Sequence, residues 1–239
     1  MFTLHNESSQ LIAYLVCHVG DVLFTGTGNG VADTGKVLRT FRAGDTEKLS
    51  AKENITPTGM LMERGAGSPW DIILSQHHYA MDLQCIGQFA THGSIKGASK
   101  LRTVFRQALG ALIWLRQTRP DIGYDIAKIA TVDVEAFQDA GKALPIMQLY
   151  NKTVRFVKNY SREIHYSPLG PVAETFGGKL KRLAQLRLVA FTDAGFGALT
   201  GSRPIEGSVT LLAEVLPRDG TIECHGSLLD HRCAKIQRA

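Results

Sequence analysis

The sequence contains few cysteines and no long hydrophobic run. None of the cysteines belongs to a C-x-x-C pair, and their scatter suits a reducing compartment. The four are Cys17, Cys85, Cys224 and Cys233. The longest apolar run is interrupted by His18, Gly20 and Asp21, and the N-terminus lacks the basic-then-apolar pattern of a secretion signal. These absences predict a cytoplasmic or nuclear protein without a membrane span.

The chain also lacks a strong excess of either charge. Its 27 Lys and Arg residues outnumber 22 Asp and Glu residues, for a net charge of +5. The bias is compatible with a polyanionic partner, and it is equally ordinary for a soluble protein. With 239 residues, of which 44% are hydrophobic, the chain could bury the core of one large or two small domains.

The first distinctive stretch covers residues 15–26, with the sequence LVCHVGDVLFTG. Two apolar runs flank Gly20 and Asp21, which predicts two short strands joined by a tight turn that displays the acidic side chain. Such a carboxylate either faces water as a turn residue or holds a cation, as in metal-dependent phosphoryl transfer.

A second strand with one aspartate lies near the other end of the chain. The apolar run 187–192 leads to Asp193 and a segment rich in glycine. Two further apolar runs, 208–212 and 221–224, are separated by a turn at 218–220. This pattern predicts a three-stranded meander with the acid on its first strand.

Four blocks of the sequence resemble the reverse transcriptase and ribonuclease H segment of copia-type long-terminal-repeat retrotransposon polyproteins, and they occur in the same order as in that family. The hairpin resembles the family's Val-Asp-Asp polymerase motif, and Ser75, Gln76 and Tyr79 fit its Ser-Gln-x-x-Tyr segment. Residues 109–122, LGALIWLRQTRPDI, resemble its most recognisable helical block. Residues 191–194, FTDA, resemble the opening of its ribonuclease H domain.

The resemblance implies an α+β fold in three parts. Residues 1–92 would be the C-terminal part of a reverse transcriptase palm, including the hairpin. Residues 93–165 would be the helical thumb and connection. Residues 166–239 would be an incomplete ribonuclease H-like domain that holds the first β-meander.

The resemblance also implies two magnesium-dependent sites, and one carboxylate of each is present. Gly20 stands where the family has the first of two paired aspartates, and a glycine cannot bind metal. The family's remaining acids would lie before Met1 and after Ala239. Asp21 and Asp193 are therefore the expected catalytic and metal-binding remnants. Because two-metal chemistry needs several converging carboxylates, we expect a truncated, inactive copy that does not bind Mg²⁺ productively.

Helical periodicity is clearest between residues 99 and 159. It predicts one helix from Ser99 to about Thr118, a short one through Ile122, Ile126 and Ile129, and a third over 144–159. We expect this middle region to be the best-packed part of the protein.

The third predicted helix carries Lys152, Arg155 and Lys158 away from its apolar side. In the resembled family this region grips template and primer, so the resemblance implies RNA, DNA or an RNA–DNA hybrid as partner. A cationic helix face can contact phosphates without sequence preference, as a non-catalytic binding module would. A merely solvated face is the alternative.

The segment from Gly30 to Lys36 suggests a different function, because it almost matches a phosphate-binding P-loop. Gly30, Gly35 and Lys36 have the required spacing after a strand. Val37, however, stands where a Ser or Thr hydroxyl should bind magnesium. A nucleotide-binding P-loop protein and a flexible connector are the two interpretations.

Overall fold

The computed structural model describes residues 1–18, 21–41, 44–67, 71–87, 98–130, 140–167, 186–195, 205–218 and 221–235. The predicted turn residue Gly20 lies outside these ranges. The chain divides into two compact units, Met1–Arg64 and Gly65–Ala239. The domain boundaries at 92/93 and 165/166 stay predictions.

The first unit contains β1 (Phe2–His5), β2 (Leu11–His18), β3 (Asp21–Gly26), α1 (Gly28–Thr40) and β4 (Leu61–Arg64). The second contains β5 (Ile72–Ser75), α2 (His77–Asp82), α3 (Ala98–Leu115), α4 (Gly123–Ala130), α5 (Ala140–Asn159), β6 (Ile164–Tyr166), β7 (Leu186–Gly195), β8 (Ile205–Arg218) and β9 (Thr221–Lys235). The mixed α and β class with antiparallel sheets is as predicted.

The predicted hairpin is present as β2 and β3 of a three-stranded antiparallel sheet in the order β1-β2-β3. His18 pairs with Asp21 at its end, and Val16 pairs with Leu23 further along the strands. A slip by one residue would exchange the two faces of the sheet and move Ala13, which is 2% exposed, to the opposite side.

The glycine-rich segment after the hairpin forms helix α1 rather than a flexible connector. The helix begins after Thr27, whose hydroxyl accepts a hydrogen bond from the Gly30 backbone nitrogen at 3.3 Å. Residues Gly30 to Lys36 all lie inside the helix. The backbone N–H groups of a P-loop face a phosphate from a loop, whereas these residues are helical; the nucleotide-binding interpretation stays a prediction.

The glycines of this segment allow α1 to approach strand β2 closely. A Cβ atom placed on Gly30 would lie 2.1 Å from the Ile12 carbonyl oxygen, and one on Gly26 would lie 2.3 Å from the same atom. Gly28 and Gly35 have open space at the corresponding position. Gly26 and Gly30 are therefore required for packing.

Helices α3, α4 and α5 form the core of the second unit, as their apolar periodicity predicts. The fully buried side chains with the largest volumes among the described residues all belong to this region: Leu112, Leu115, Thr118, Ile122, Ile129, Tyr150, Thr153, Val154 and Val157. The expectation that this middle region is the best packed is confirmed. Helix α5 begins at Ala140, earlier than predicted, and includes Pro145. Proline is more common at the first helical position, which accounts for the predicted start near 144.

The C-terminal strands form the predicted three-stranded meander, in the order β7-β8-β9. The strands are longer than the apolar runs that predicted them, and a register shift between Thr210 and Leu211 interrupts the pairing of β8 with β9. Strand β5 pairs antiparallel with β6 elsewhere in the same unit. No described helix has the length and apolar content needed to cross a lipid bilayer.

Candidate nucleic-acid interface

Helix α5 exposes the basic face that the sequence predicts. Lys152 and Arg155 are exposed and Lys158 is partly exposed, whereas Val154 and Val157 on the other side are completely buried. Within the described part of the chain, none of the ion pairs includes any of the three cations. Their charges therefore remain available to an external anion.

The position of α5 is held by polar contacts made from its buried side. The Asn151 side chain donates to the Ile86 carbonyl oxygen at 3.0 Å and accepts from the Ile86 backbone nitrogen at 2.8 Å. The Thr153 hydroxyl lies 3.2 Å from an Asp125 carboxylate oxygen on α4. These bonds satisfy polar groups that would otherwise be buried without partners, so they fix the helix in one orientation.

Tyr150 anchors the middle of the same helix. Its hydroxyl donates to the Gln84 carbonyl oxygen at 3.2 Å. Burial, with smaller contributions from Cys85 and Tyr79, raises the pKa of Tyr150 to about 12. The neutral phenol is the form that can donate this bond, so the contact persists throughout the ordinary pH range.

The C-terminal end of α5 is capped by Arg119, which is only 3% exposed. Its guanidinium binds both carboxylate oxygens of Asp121, at 2.9 Å from Nε and 2.8 Å from Nη2. Nη1 donates to the carbonyl oxygens of Val157 and Tyr160, and the group lies 5.5 Å from the centre of the Phe156 ring. A planar, multidentate cation satisfies the last helical carbonyls and complements the negative end of the helix dipole.

Gln76 joins two of the sequence blocks that carry the family resemblance. Its side-chain oxygen accepts from Trp114 Nε1 at 2.9 Å, and its nitrogen lies 2.9 Å from the Thr118 hydroxyl. This orientation of the amide is assigned from its hydrogen bonds. Gln76 and Thr118 are 3% and 2% exposed, respectively. The block containing Ser75 and Gln76 is thus bonded to the block 109–122 inside one core.

Sequence reasoning assigned no role to Gln76 or Arg119. The available signal was their place in distinctive blocks, together with the neighbouring Pro120 and Asp121. Their partners at Thr118 and Tyr160 are 42 and 41 residues away along the chain. Contacts of this range have no local pattern that would predict them.

Asp21 occupies an exposed position at the start of β3. One of its carboxylate oxygens accepts a hydrogen bond from the Thr58 backbone nitrogen at 3.0 Å. Thr58 lies in a turn at Pro57–Gly59 and has a φ of 54°, an uncommon value for a β-branched residue. The observed role of Asp21 is to hold this turn.

Asp193 lies in β7, where its backbone is paired with Gly207 of β8. The predicted place of this residue on the first strand of the meander is confirmed. Its side chain lies outside the described part of the structure. Asp21 and Asp193 belong to different compact units.

The donor atoms around Asp21 do not fit a catalytic magnesium site. Mg²⁺ in phosphoryl-transfer enzymes is held by more than one converging carboxylate or by substrate phosphates. One oxygen of Asp21 already accepts an N–H donor. The described residues contain no cluster of three or more His, Cys, Asp or Glu side chains suited to a metal ion.

The fold and the site together define a mixed α and β protein with an exposed cationic helix face. Comparison with models of known protein families, with curated proteins and with solved structures finds no match.

Proposed function

We propose that the protein is a non-catalytic piece of a copia-type reverse transcriptase and ribonuclease H that binds nucleic acid through α5. The partner is RNA, DNA or an RNA–DNA hybrid. Contacts are made to the phosphate backbone and not to base edges, so no sequence preference is expected.

The observation that carries the binding proposal is the free basic face of a rigidly held helix. Lys152 and Arg155 are exposed, and the opposite side of α5 is held by the bonds of Asn151 to Ile86 and of Thr153 to Asp125. A cation fixed on a rigid element loses little freedom when it meets a phosphate, and each such contact releases counterions.

The family assignment is supported by the buried bonds between two resembling blocks. Gln76, Trp114 and Thr118 are joined in one core, as parts of one inherited unit would be. The three-stranded meander with Asp193 on its first strand also agrees with the resemblance.

The proposed absence of catalysis is supported by the small number of carboxylates in the polymerase motif. Gly20 replaces a metal-binding aspartate of the family motif, and Asp21 is bonded to a turn. Of the two paired aspartates in the polymerase motif only Asp21 is present, and one carboxylate is too few to hold two metal ions about 4 Å apart.

The binding proposal is tested by titrating a labelled RNA–DNA hybrid at several salt concentrations between about 50 and 200 mM. The affinity should fall as salt rises, with a contribution of roughly 0.7 to 0.9 to the logarithmic slope for each phosphate contact. The triple variant Lys152→Gln, Arg155→Gln, Lys158→Gln should lose affinity and reduce the slope by about 2 to 3.

A matched control removes three exposed cations elsewhere: Arg39→Gln, Lys48→Gln, Lys52→Gln. Both variants have the same net charge, so only a local contact distinguishes them. Equal losses in the two variants, or an affinity independent of salt, would contradict binding through α5.

Catalysis is tested with the same hybrid in the presence of Mg²⁺, beside an Asp193→Asn variant. We expect no cleavage by either protein. Cleavage by the original chain that disappears in Asp193→Asn would overturn the non-catalytic assignment.

A further inference from the structure

The C-terminal end of α5 presents an exposed aromatic ring on the helix ridge that also carries Lys152. Tyr160 is 59% exposed, and its backbone nitrogen donates to the Phe156 carbonyl oxygen at 3.0 Å. This bond continues the helical spiral by one residue beyond Asn159. The Tyr160 side chain therefore follows Phe156 and Lys152 at intervals of four residues, along one ridge of the helix.

The Tyr160 ring is supported on one side and open on the other. Its centroid lies 5.2 Å from that of Phe156, with the two rings inclined at 38°. The Arg119 guanidinium lies over the Phe156 ring at 5.5 Å and also bonds the Tyr160 carbonyl oxygen at 2.8 Å. The ring thus packs on the partly buried Phe156 and the backbone is held by the buried Arg119, so a flat ligand could stack on Tyr160 without having to order it first.

One cation of α5 shares this ridge with the ring. Lys152 lies about 12 Å from Tyr160 along the axis, from the rise of 1.5 Å per residue, whereas Arg155 lies about 140° round the helix from Tyr160. A strand that follows the ridge could contact both the Lys152 ammonium and the Tyr160 ring. The ridge thus combines an open aromatic ring with positive charge.

We infer that Tyr160 is a base-stacking platform, and that the α5 ridge formed by Lys152, Phe156 and Tyr160 therefore binds single-stranded nucleic acid in preference to duplex. This inference rests on the proposed function. Bases of a single strand have free faces that can stack on an aromatic side chain, whereas bases in a duplex already stack on each other. Positive charge attracts single-stranded and duplex nucleic acid alike, so the preference for the single strand comes from stacking on the aromatic ring.

The test compares a labelled oligothymidylate with a duplex of the same length in binding titrations of the full chain. Tyr160→Leu should weaken binding of the single strand by about 5-fold to 100-fold and change duplex binding by less than about twofold. Tyr160→Phe should retain the affinity, since it keeps the ring. The salt slope should not change in Tyr160→Leu, because stacking releases no counterions.

Tyr14→Leu is the matched control, since Tyr14 is 43% exposed and its strand neighbours are Thr3 and Thr25. It should leave both affinities unchanged. Circular dichroism should be the same for all variants, because the Tyr160 side chain is mostly exposed.

Equal effects of Tyr160→Leu on single strand and duplex, or no effect on either, would overturn the inference while salt-dependent binding through α5 stands. A chain that binds neither nucleic acid would overturn the proposed function as well.

Discussion

The two compact units differ in how they bury apolar side chains. In the described part of Gly65–Ala239, helices α3, α4 and α5 enclose completely buried residues such as Leu112 and Val154. In the described part of Met1–Arg64, the buried hydrophobic residues are Ala13 and Ile55, while Phe2 is 63% exposed. A small residue contributes little buried apolar area, so the first unit depends more on close backbone packing and the second on side-chain burial.

The same contrast holds for polar residues. Gln76 and Arg119 are buried and bonded through several atoms at once, whereas exposed Asp21 accepts one bond from a turn. All three belong to stretches with unusual sequence. The difference shows that unusual residues in a distinctive sequence block can stabilise the fold and need not take part in binding or catalysis.

The largest expected effect comes from removing the buried cation of the second unit. Arg119→Leu removes the bidentate partner of Asp121, which keeps only the longer contact to Arg162, and leaves the Val157 and Tyr160 carbonyls without Arg119. It should lower the free energy of unfolding by about 3 kcal/mol. Trp114 fluorescence in a Trp70→Phe background can follow the transition, because Trp114 bonds Gln76. Exposed Arg102→Leu on α3 is the control and should change stability by less than about 0.5 kcal/mol. Equal stability of the two variants would mean that Arg119 does not hold the core.

A smaller effect is expected from filling the close contact in the first unit. Gly30→Ala places a methyl group against the Ile12 carbonyl oxygen, and should cost about 2 kcal/mol through displacement of α1 from β2. Gly35→Ala, with open space in the same helix, should instead stabilise by about 0.5 to 1 kcal/mol.

The predicted stability changes of the two glycine variants can be measured by the hydrogen-exchange protection of amides in β2 and α1. Gly30→Ala should lower this protection, and Gly35→Ala should not. A P-loop function would predict a different pattern, in which Gly30→Ala loses nucleotide affinity without loss of amide protection. Unchanged protection in Gly30→Ala would contradict the packing role.

The smallest effect concerns the pH dependence of the helical core. Burial raises the pKa of Tyr150 to about 12, from an ordinary value of 10.0. The folded state therefore keeps a proton that the unfolded state releases. The stabilisation is complete below pH 10 and is lost as pH rises toward 12. At pH 11 the loss is about 1.4 kcal/mol.

Urea unfolding at pH 8 and pH 11 tests this titration, with Tyr150→Phe as the comparison. The variant lacks the ionisable hydroxyl, so its stability should fall less between the two pH values. Parallel decreases in both proteins would show that other groups account for the alkaline loss.

Local sequence patterns determined several elements of this protein. Two apolar runs on either side of a Gly-Asp pair predicted the hairpin whose second strand begins at Asp21, and the 3.6-residue period predicted α3, α4 and α5. The separation of Lys152 and Arg155 from the apolar stripe also follows from that period. Such features depend on residues a few positions apart, whose relation is set by backbone geometry.

Tertiary structure alone decided what the distinctive residues do. Asp21 bonds Thr58 across 37 residues, and Gly30 meets the Ile12 carbonyl oxygen of a different element. Gln76 and Arg119 find partners about forty positions away. The flexible connector expected after the hairpin was the clearest error, because the spacing of its glycines does not distinguish a loop from a helix that packs closely on a strand. That choice depends on the three-dimensional neighbours, which no local pattern contains.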